Sequence, residues 1–317
     1  MGRRMPERPA LIFISEYSDT RGWQRQLAKY LPEIETRIWP DIGRKEDVVA
    51  ALVWKHPHGV LRQFPELKLI VNLGAGANFV LADPELPANV PIVRLVDQGL
   101  TRRITEYVAL HTLALHRSVH ELAVAQRAAE WRYLHPVDPV ECCVGVMGLG
   151  NLGTSALQEL GHFGFRRAGW SRTPKSLPGV TCFHGAAELA PFLSDCNILI
   201  CLLPGTAATE DLIDGKVLRL LPKGAAFINL GRGSIVVDED LIAALDDGHI
   251  RHAVLDVFRT EPLPSEHAYW RHPKVTITPH NSSATNPSTA AQQVVANIRR
   301  VLAGEPPFNL VNPLIGY

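Results

Sequence analysis

Short apolar runs alternate along the chain with stretches in which apolar residues recur at helical spacing. That alternation predicts parallel sheets joined by crossover helices, an α/β class. A first series of strands is expected at "ALIFIS" (10–15), "VVAALVW" (48–54), "LKLIVNLGAG" (67–76) and "PIVRLVD" (91–97), with the Trp-containing "TRGWQRQLAKYL" as the first connecting helix. A helical stretch from about Thr105 through Glu130 contains no Gly or Pro, and "WRYLHPVDP" then breaks it with two prolines. A second series runs through "VGVMGLG" (144–150), "NILICLLP" (197–204), "GAAFINLGRG" (224–233), "HAVLDVF" (252–258) and "VTITPH" (275–280). Within it, "VDEDLIAALDDGHI" predicts a helix capped by Asp238, with Leu241, Ala244 and Leu245 on one face. The last helix, about 285–303, carries a stripe of Val294, Val295, Ile298, Val301 and Leu302. With no strand of the second series after it, this helix is expected to return to the first domain.

Composition narrows the picture. A chain of 317 residues, 46% hydrophobic and 20% charged, can bury one or two full cores, and two domains are expected. Lys plus Arg equals Asp plus Glu at 32 each, so no overall charge draws the molecule to nucleic acid or to an anionic membrane. The apolar run "NILICLLPG" (197–205) is too short to span a bilayer, and "MGRRMPERPA" lacks the apolar segment of a signal peptide, so a cytoplasmic location is expected. The five cysteines show no metal-ligand spacing and read as buried reduced thiols. His56 and His58 have no nearby carboxylate or Cys to complete a ligand set, so no metal is expected.

"GLGNLG" (148–153) follows the apolar strand "CCVGVM" and opens a helix bearing Leu152, Ala156 and Leu160, the context that a dinucleotide fingerprint requires. Gly148 would allow the tight turn, Gly150 would let the backbone approach a pyrophosphate, and Gly153 would permit close packing of helix on strand. Asn151 and Leu152 would offer N–H groups at the helix start. About 20 residues on, where an acidic side chain normally takes the adenosine ribose, "AGWSRTPKS" (168–176) contains none. Ser171, Arg172 and Thr173 stand there instead. An arginine suits a 2′-phosphate, so NADP is expected over NAD, with NAD still usable.

At "NLGRGSIVVDEDL" (229–241), "LDVFRTEPLP" (255–264) and "VTITPHNSSAT" (275–285) the chain resembles the D-2-hydroxyacid dehydrogenase family over essentially its whole length. Within that family "WSRTPKSLPGV", "VTITPH" and the terminal "GY" are similar to the glyoxylate/hydroxypyruvate reductase A subgroup. The resemblance implies two doubly wound parallel-sheet domains with a cleft between them. One is a flavodoxin-like substrate domain, residues 1–103 and 284–317, and the other a Rossmann cofactor domain, residues 104–283. It also implies NADPH-dependent reduction of a small 2-keto acid to the D-2-hydroxy acid in a homodimeric enzyme.

Carried over by position, the resemblance makes Arg232, Glu261 and His280 the catalytic set. Such a reduction needs a hydride at C2, a proton for the developing alkoxide and a cation on the carboxylate. His280 suits the proton, Glu261 its orientation, and Arg232 can fork onto two oxygens. The resemblance further implies that "LGAG" (73–76) turns the Ala75 and Gly76 N–H groups to the substrate carboxylate, with Trp54 as a pocket wall. Leu203, Pro204, Thr209 and Leu230 would border the cofactor, and Asp256 would take the nicotinamide carboxamide.

Two departures stand out. Gly231 occupies a position where the family more often has Ala, and is expected to loosen the backbone slightly. Arg102 and Arg103 add charge in "LVDQGLTRRITEY" (95–107), which would suit a larger or more acidic substrate if they face the cleft. Two other functions remain open. One is an NAD-dependent dehydrogenase of D-lactate or phosphoglycerate type, against which Arg172 argues. The other is a nucleotide-sensing corepressor that keeps the Arg, Glu and His.

Overall fold

Every residue of β1 (Ala10–Ile14) and β3 (Val48–Val53) is buried, because both faces of the sheet to which they belong are covered. The structure is a computed structural model in which residues 8–15 and 19–313 are described. It divides into two units, one running to Leu100 and resuming at Ala284, the other Thr101–Ser283. The first contains β1, α1 (Thr20–Tyr30), β2 (Glu35–Ile38), β3, β4 (Leu69–Asn72), α2 (Asn78–Leu81) and β5 (Ile92–Arg94). All five strands are parallel, in the order β2-β1-β3-β4-β5. Successive side chains leave a strand on opposite faces. Leu11, Phe13, Leu52 and Val71 therefore meet Trp23 and Leu27 of α1, whereas Ile12, Ile14, Val53 and Ile70 meet Leu61, Phe64 and Val80.

α3 (Gln98–His116) and α4 (Val119–Arg127) replace the single helix expected over 105–130. Asp97 Oδ2 accepts the Leu100 N–H at 3.0 Å and starts α3 earlier than the sequence indicates. The break falls at Ser118, whose φ is +53°. The Ser118 N–H bonds the Leu115 carbonyl three residues back, a tightened last turn that no local Gly or Pro announces.

The second unit continues with β6 (Cys143–Met147), α5 (Asn151–Gly161), β7 (Arg166–Ser171), β8 (Thr181–His184), α6 (Leu189–Leu193) and β9 (Ile198–Cys201). It ends with α7 (Gly215–Arg219), β10 (Ala225–Asn229), α8 (Asp238–Asp246), β11 (Ile250–Leu255) and β12 (Val275–Ile277). Its seven strands are again all parallel, ordered β12-β11-β10-β9-β6-β7-β8. Leu241, Ala244 and Leu245 face the core as expected, but Asp238 is the first residue of α8 and not its cap. Val237 occupies the cap position, and Asp238 Oδ1 accepts the Tyr269 hydroxyl at 3.0 Å instead. The last helix, α9 (Pro287–Leu302), belongs to the first unit, where Ala290, Ala291, Val294, Val295 and Ile298 pack in the α1 core.

Candidate active site

Because all seven strands of the larger sheet run the same way, their carboxyl ends share one edge, and the strand order reverses there between β6 and β9. Open α/β sheets bind ligands at such a switch point. The glycine loop lies directly after β6. Gly148 has φ +106°, and a Cβ on it would stand 2.9 Å from the Leu202 carbonyl oxygen. A Cβ at Gly153 would stand 2.0 Å from the Gly148 carbonyl oxygen, so only glycine lets α5 sit this close to the strand end. At Gly150 a Cβ would meet nothing within 4 Å, which leaves that face of the turn open. α5 has no side-chain cap, and the N–H groups of Asn151, Leu152 and Gly153 in its first turn have no carbonyl one turn back. An open glycine face beside free helix N–H groups fits a pyrophosphate.

β7 ends at Ser171, which is buried and donates its hydroxyl to the Thr173 carbonyl at 2.8 Å. That bond folds the chain back so that Arg172 and Thr173 are exposed at the strand's carboxyl end. After β9, Leu203 is buried and Thr209 Oγ1 closes a small loop by donating to the Pro204 carbonyl at 2.6 Å and accepting the Thr206 N–H at 2.9 Å. Leu230, buried just after β10, lies on the same edge of the sheet. The Asn151 side chain donates to Thr101 Oγ1 at 3.0 Å.

Arg232 follows β10 on a turn that Asn229 braces from both sides. Asn229 Oδ1 accepts the Gly231 N–H at 3.1 Å, and its Nδ2 donates to the Arg232 carbonyl at 3.1 Å. Gly231 therefore does not loosen this turn, contrary to the expectation from its conformational freedom; a Cβ there would press on the Leu203 carbonyl oxygen at 2.7 Å. Arg232 Nη1 donates to the Gly231 carbonyl at 2.7 Å. Burial lowers the guanidinium pKa, and the negative charge of Glu261 opposes that shift. A Cβ on Gly233 would fall 1.8 Å from the Phe258 carbonyl carbon, so this glycine lets the Arg232 turn lie against the loop leading to Glu261.

Glu261 Oε1 accepts the Phe258 N–H at 3.0 Å, and its Oε2 lies 2.8 Å from His280 Nδ1. The two side chains are 14% and 24% exposed, so the pair is largely shielded from competing water. His280 has φ +51°, a strained conformation for a non-glycine residue. Asp256 holds it there. The Asp256 carbonyl accepts the His280 N–H at 2.8 Å, and the Asp256 carboxylate accepts the Asn281 N–H at 2.9 Å and the Ser282 N–H at 3.0 Å. Asp256 is itself fully buried.

In the first unit, taken by itself, Trp54 and the "LGAG" turn follow β3 and β4 at their carboxyl ends. The Trp54 ring fills the space over Gly74, where a Cβ would be 2.2 Å from its Cζ3, and packs edge-on against Phe79 at 5.3 Å. Asn72 Nδ2 draws the Gly74 and Gly76 carbonyls inward at 2.8 and 3.0 Å. In a trans peptide the N–H opposes the C=O, so the Ala75 N–H points the other way. Gly76 follows it in the same half-buried turn.

Arg102 and Arg103 are exposed on α3. The terminal "GY" lies outside the described residues. Among the described residues no group of three or more His, Cys, Asp and Glu could hold a metal ion, and no helix is long and apolar enough to cross a membrane. His56 Nε2 pairs instead with buried Asp83 at 3.1 Å. The cysteines are free, with burial raising the Cys201 pKa to about 12. Three supporting residues escape sequence reasoning. Asn229 and Thr278 stand close to motif residues and could have been found there, whereas Tyr107, 2.6 Å from Thr278, is 171 positions away from it.

This site and this sheet order define a dinucleotide-dependent oxidoreductase. Residues 109–282 match the D-isomer specific 2-hydroxyacid dehydrogenase, NAD binding domain, and the chain belongs to that family. It is 40% identical, over 97% of its length and 99% of the relative's, to glyoxylate/hydroxypyruvate reductase A of Serratia proteamaculans. Among solved structures, it is similar to a D-isomer specific 2-hydroxyacid dehydrogenase from Xanthobacter autotrophicus in complex with NADPH and MES. The TM-score is 0.93 at 44% identity, covering 98% of this chain and 100% of that one. It is also similar to the NADPH-dependent glyoxylate/hydroxypyruvate reductase of Sinorhizobium meliloti in complex with NADP and sulfate. There the TM-score is 0.92 at 32% identity, covering 98% and 100% of the two chains.

Proposed function

We propose that this dehydrogenase reduces a small 2-keto acid, glyoxylate, hydroxypyruvate or a near relative, to the D-2-hydroxy acid, with NADPH as the preferred donor. The observation that carries the reading is the 2.8 Å pair of His280 and Glu261 on the sheet edge that also bears the half-buried Arg232 and the glycine cradle. NADPH supplies the hydride. His280 Nε2 gives the proton to the forming hydroxyl, while Glu261 on Nδ1 fixes the ring. Arg232 forks onto carboxylate and keto oxygen. Asp256 Oδ2, which accepts the Ser282 N–H, has a second lone pair to offer the nicotinamide carboxamide. Ala75 and Gly76 are assigned to the substrate carboxylate and Trp54 to the wall beside it. Residues 1–103 with 284–317 are assigned as the substrate domain, and residues 104–283 as the cofactor domain.

The NADPH assignment rests on Arg172, exposed at the end of β7 with no carboxylate in "AGWSRTPKS" to repel a 2′-phosphate. The relatives named for NADPH support it. Oxidation of NADPH and of NADH should be followed with glyoxylate and hydroxypyruvate for wild type and Arg172→Ala. The preference for NADPH is expected to fall about 10- to 100-fold in the variant, the worth of a charge-assisted hydrogen bond. Equal use of both cofactors by the wild type would sink the Arg172 reading and leave the keto-acid reading standing.

We assign the protein to a homodimer, on the exposed apolar row Leu110, Val119, Val124, Trp131 and Tyr133 along α3, α4 and the segment after them. Light scattering on the purified chain should give twice the 34.9 kDa of one chain, and a single-chain mass would remove the assignment.

A further inference from the structure

His280 is held in a left-handed backbone conformation, φ +51°, and something must keep it there. Four hydrogen bonds from the chain at His280 through Ser282 converge on Asp256, one to its carbonyl and the rest to its carboxylate. A further donor reaches the same carboxylate. Thr278 Oγ1 lies 2.6 Å from Asp256 Oδ1, and the Tyr107 hydroxyl lies 2.6 Å from Thr278 Oγ1. Proton bookkeeping fixes the direction of this chain. An ionised carboxylate can only accept, so the threonine spends its single proton on Asp256 and must accept from the tyrosine. Linked donors of this kind polarise and strengthen one another in a shielded site.

We infer that Tyr107 is a positioning residue for His280, acting from α3 through Thr278 and the Asp256 carboxylate on the loop Asn281–Ser282. The inference rests on His280 as the proton donor. Tyr107 hydrogen-bonds Thr278, which is assigned to neither substrate nor cofactor. Its hydroxyl is the outermost donor of the chain, and its ring is fixed by the His111 imidazole, with centroids 4.3 Å apart. Burial raises the Tyr107 pKa to about 12, so it stays a donor at any pH at which the enzyme is assayed. Without its proton, Thr278 Oγ1 loses its donor, Asp256 Oδ1 accepts a weaker bond, and the strained loop gains freedom.

Tyr107→Phe deletes the hydroxyl alone. The expected result is a fall in kcat of about 3- to 10-fold, the worth of one hydrogen bond, with NADPH affinity and melting temperature unchanged. Amide hydrogen exchange at Asn281 and Ser282 should quicken by a similar factor. Thr278→Val should do the same, Thr278→Ser should restore kcat, and Tyr107→Phe added to Thr278→Val should cost nothing more, because both act through one chain. Wild-type kcat together with wild-type exchange in Tyr107→Phe overturns the inference. So does a loss that adds fully to that of Thr278→Val, or one that appears only as lost cofactor binding. His280→Asn is the control. If it keeps full activity, the assignment of His280 has failed, and exchange at Asn281 and Ser282 still decides whether Tyr107 holds the loop.

Discussion

Replacement of His280 by asparagine is expected to lower kcat for keto-acid reduction by about 10²- to 10⁴-fold, the range that a positioned acid or base contributes. Asparagine is the informative choice because it tolerates the left-handed backbone that His280 adopts at φ +51°. Its amide can also donate to Glu261 Oε2, as His280 Nδ1 does at 2.8 Å. The loop, the bond to Glu261 and the Asp256 anchor should all persist, and only the transferable proton on Nε2 disappears. NADPH affinity should therefore stay at the wild-type level, and the whole loss should fall on kcat. Stopped-flow measurement of a single turnover checks this, since it separates the chemical step from product release. A His280→Asn enzyme with wild-type single-turnover rate would remove His280 as the proton donor.

How far the fold could be read in the sequence follows from burial. Strands β1, β3 and β9 are covered on both sides and appear as unbroken apolar runs, and β10 is apolar up to Asn229. Two of the four edge strands, β2, "ETRI", and β8, "TCFH", are partly exposed, carry mixed residues and leave no such mark. The break at Ser118 was invisible for a different reason. Nothing in the residues themselves forbids helix there, and Val119–Arg127 on the far side is helical. Asp238 does not cap α8 although its residue type allows it, because an acidic residue suits either the cap or the first turn. Here the Tyr269 hydroxyl takes the side chain away from the backbone.

The candidate site divides along the same line. Arg232, Glu261, His280 and the glycines stand in recognisable motifs, because chemistry constrains them locally. The residues that hold them do not. Asn229 braces the arginine turn by two bonds spanning only 2 and 3 residues, whereas the Tyr107 to Thr278 contact exists only once the sheet has brought β12 beside α3. The slight loosening expected of Gly231 is absent because Asn229 pins the turn. Conformational freedom belongs to an isolated residue, and here two neighbours remove it.

Arg232→Ala is expected to lower kcat/KM for the keto acid by about 10²- to 10³-fold, the cost of losing one charge-stabilising donor at a reacting oxygen. That exceeds the loss expected from Arg172→Ala because of where the two cations lie. Arg172 is exposed, where water and salt weaken its pull, and Arg232 is sunk far enough for burial to lower its pKa. The guanidinium stays charged nonetheless, as arginine does in proteins. The fold should survive the change, because Asn229 holds the turn through main-chain groups that alanine keeps. Arg232→Lys separates charge from shape. A lysine can keep the positive charge but cannot fork onto two oxygens, so its kcat/KM should fall between wild type and Arg232→Ala. If Lys matches wild type, a point charge suffices and the two-oxygen geometry is wrong. If both variants instead lose NADPH affinity at unchanged kcat, the arginine belongs to the cofactor and not to the keto acid.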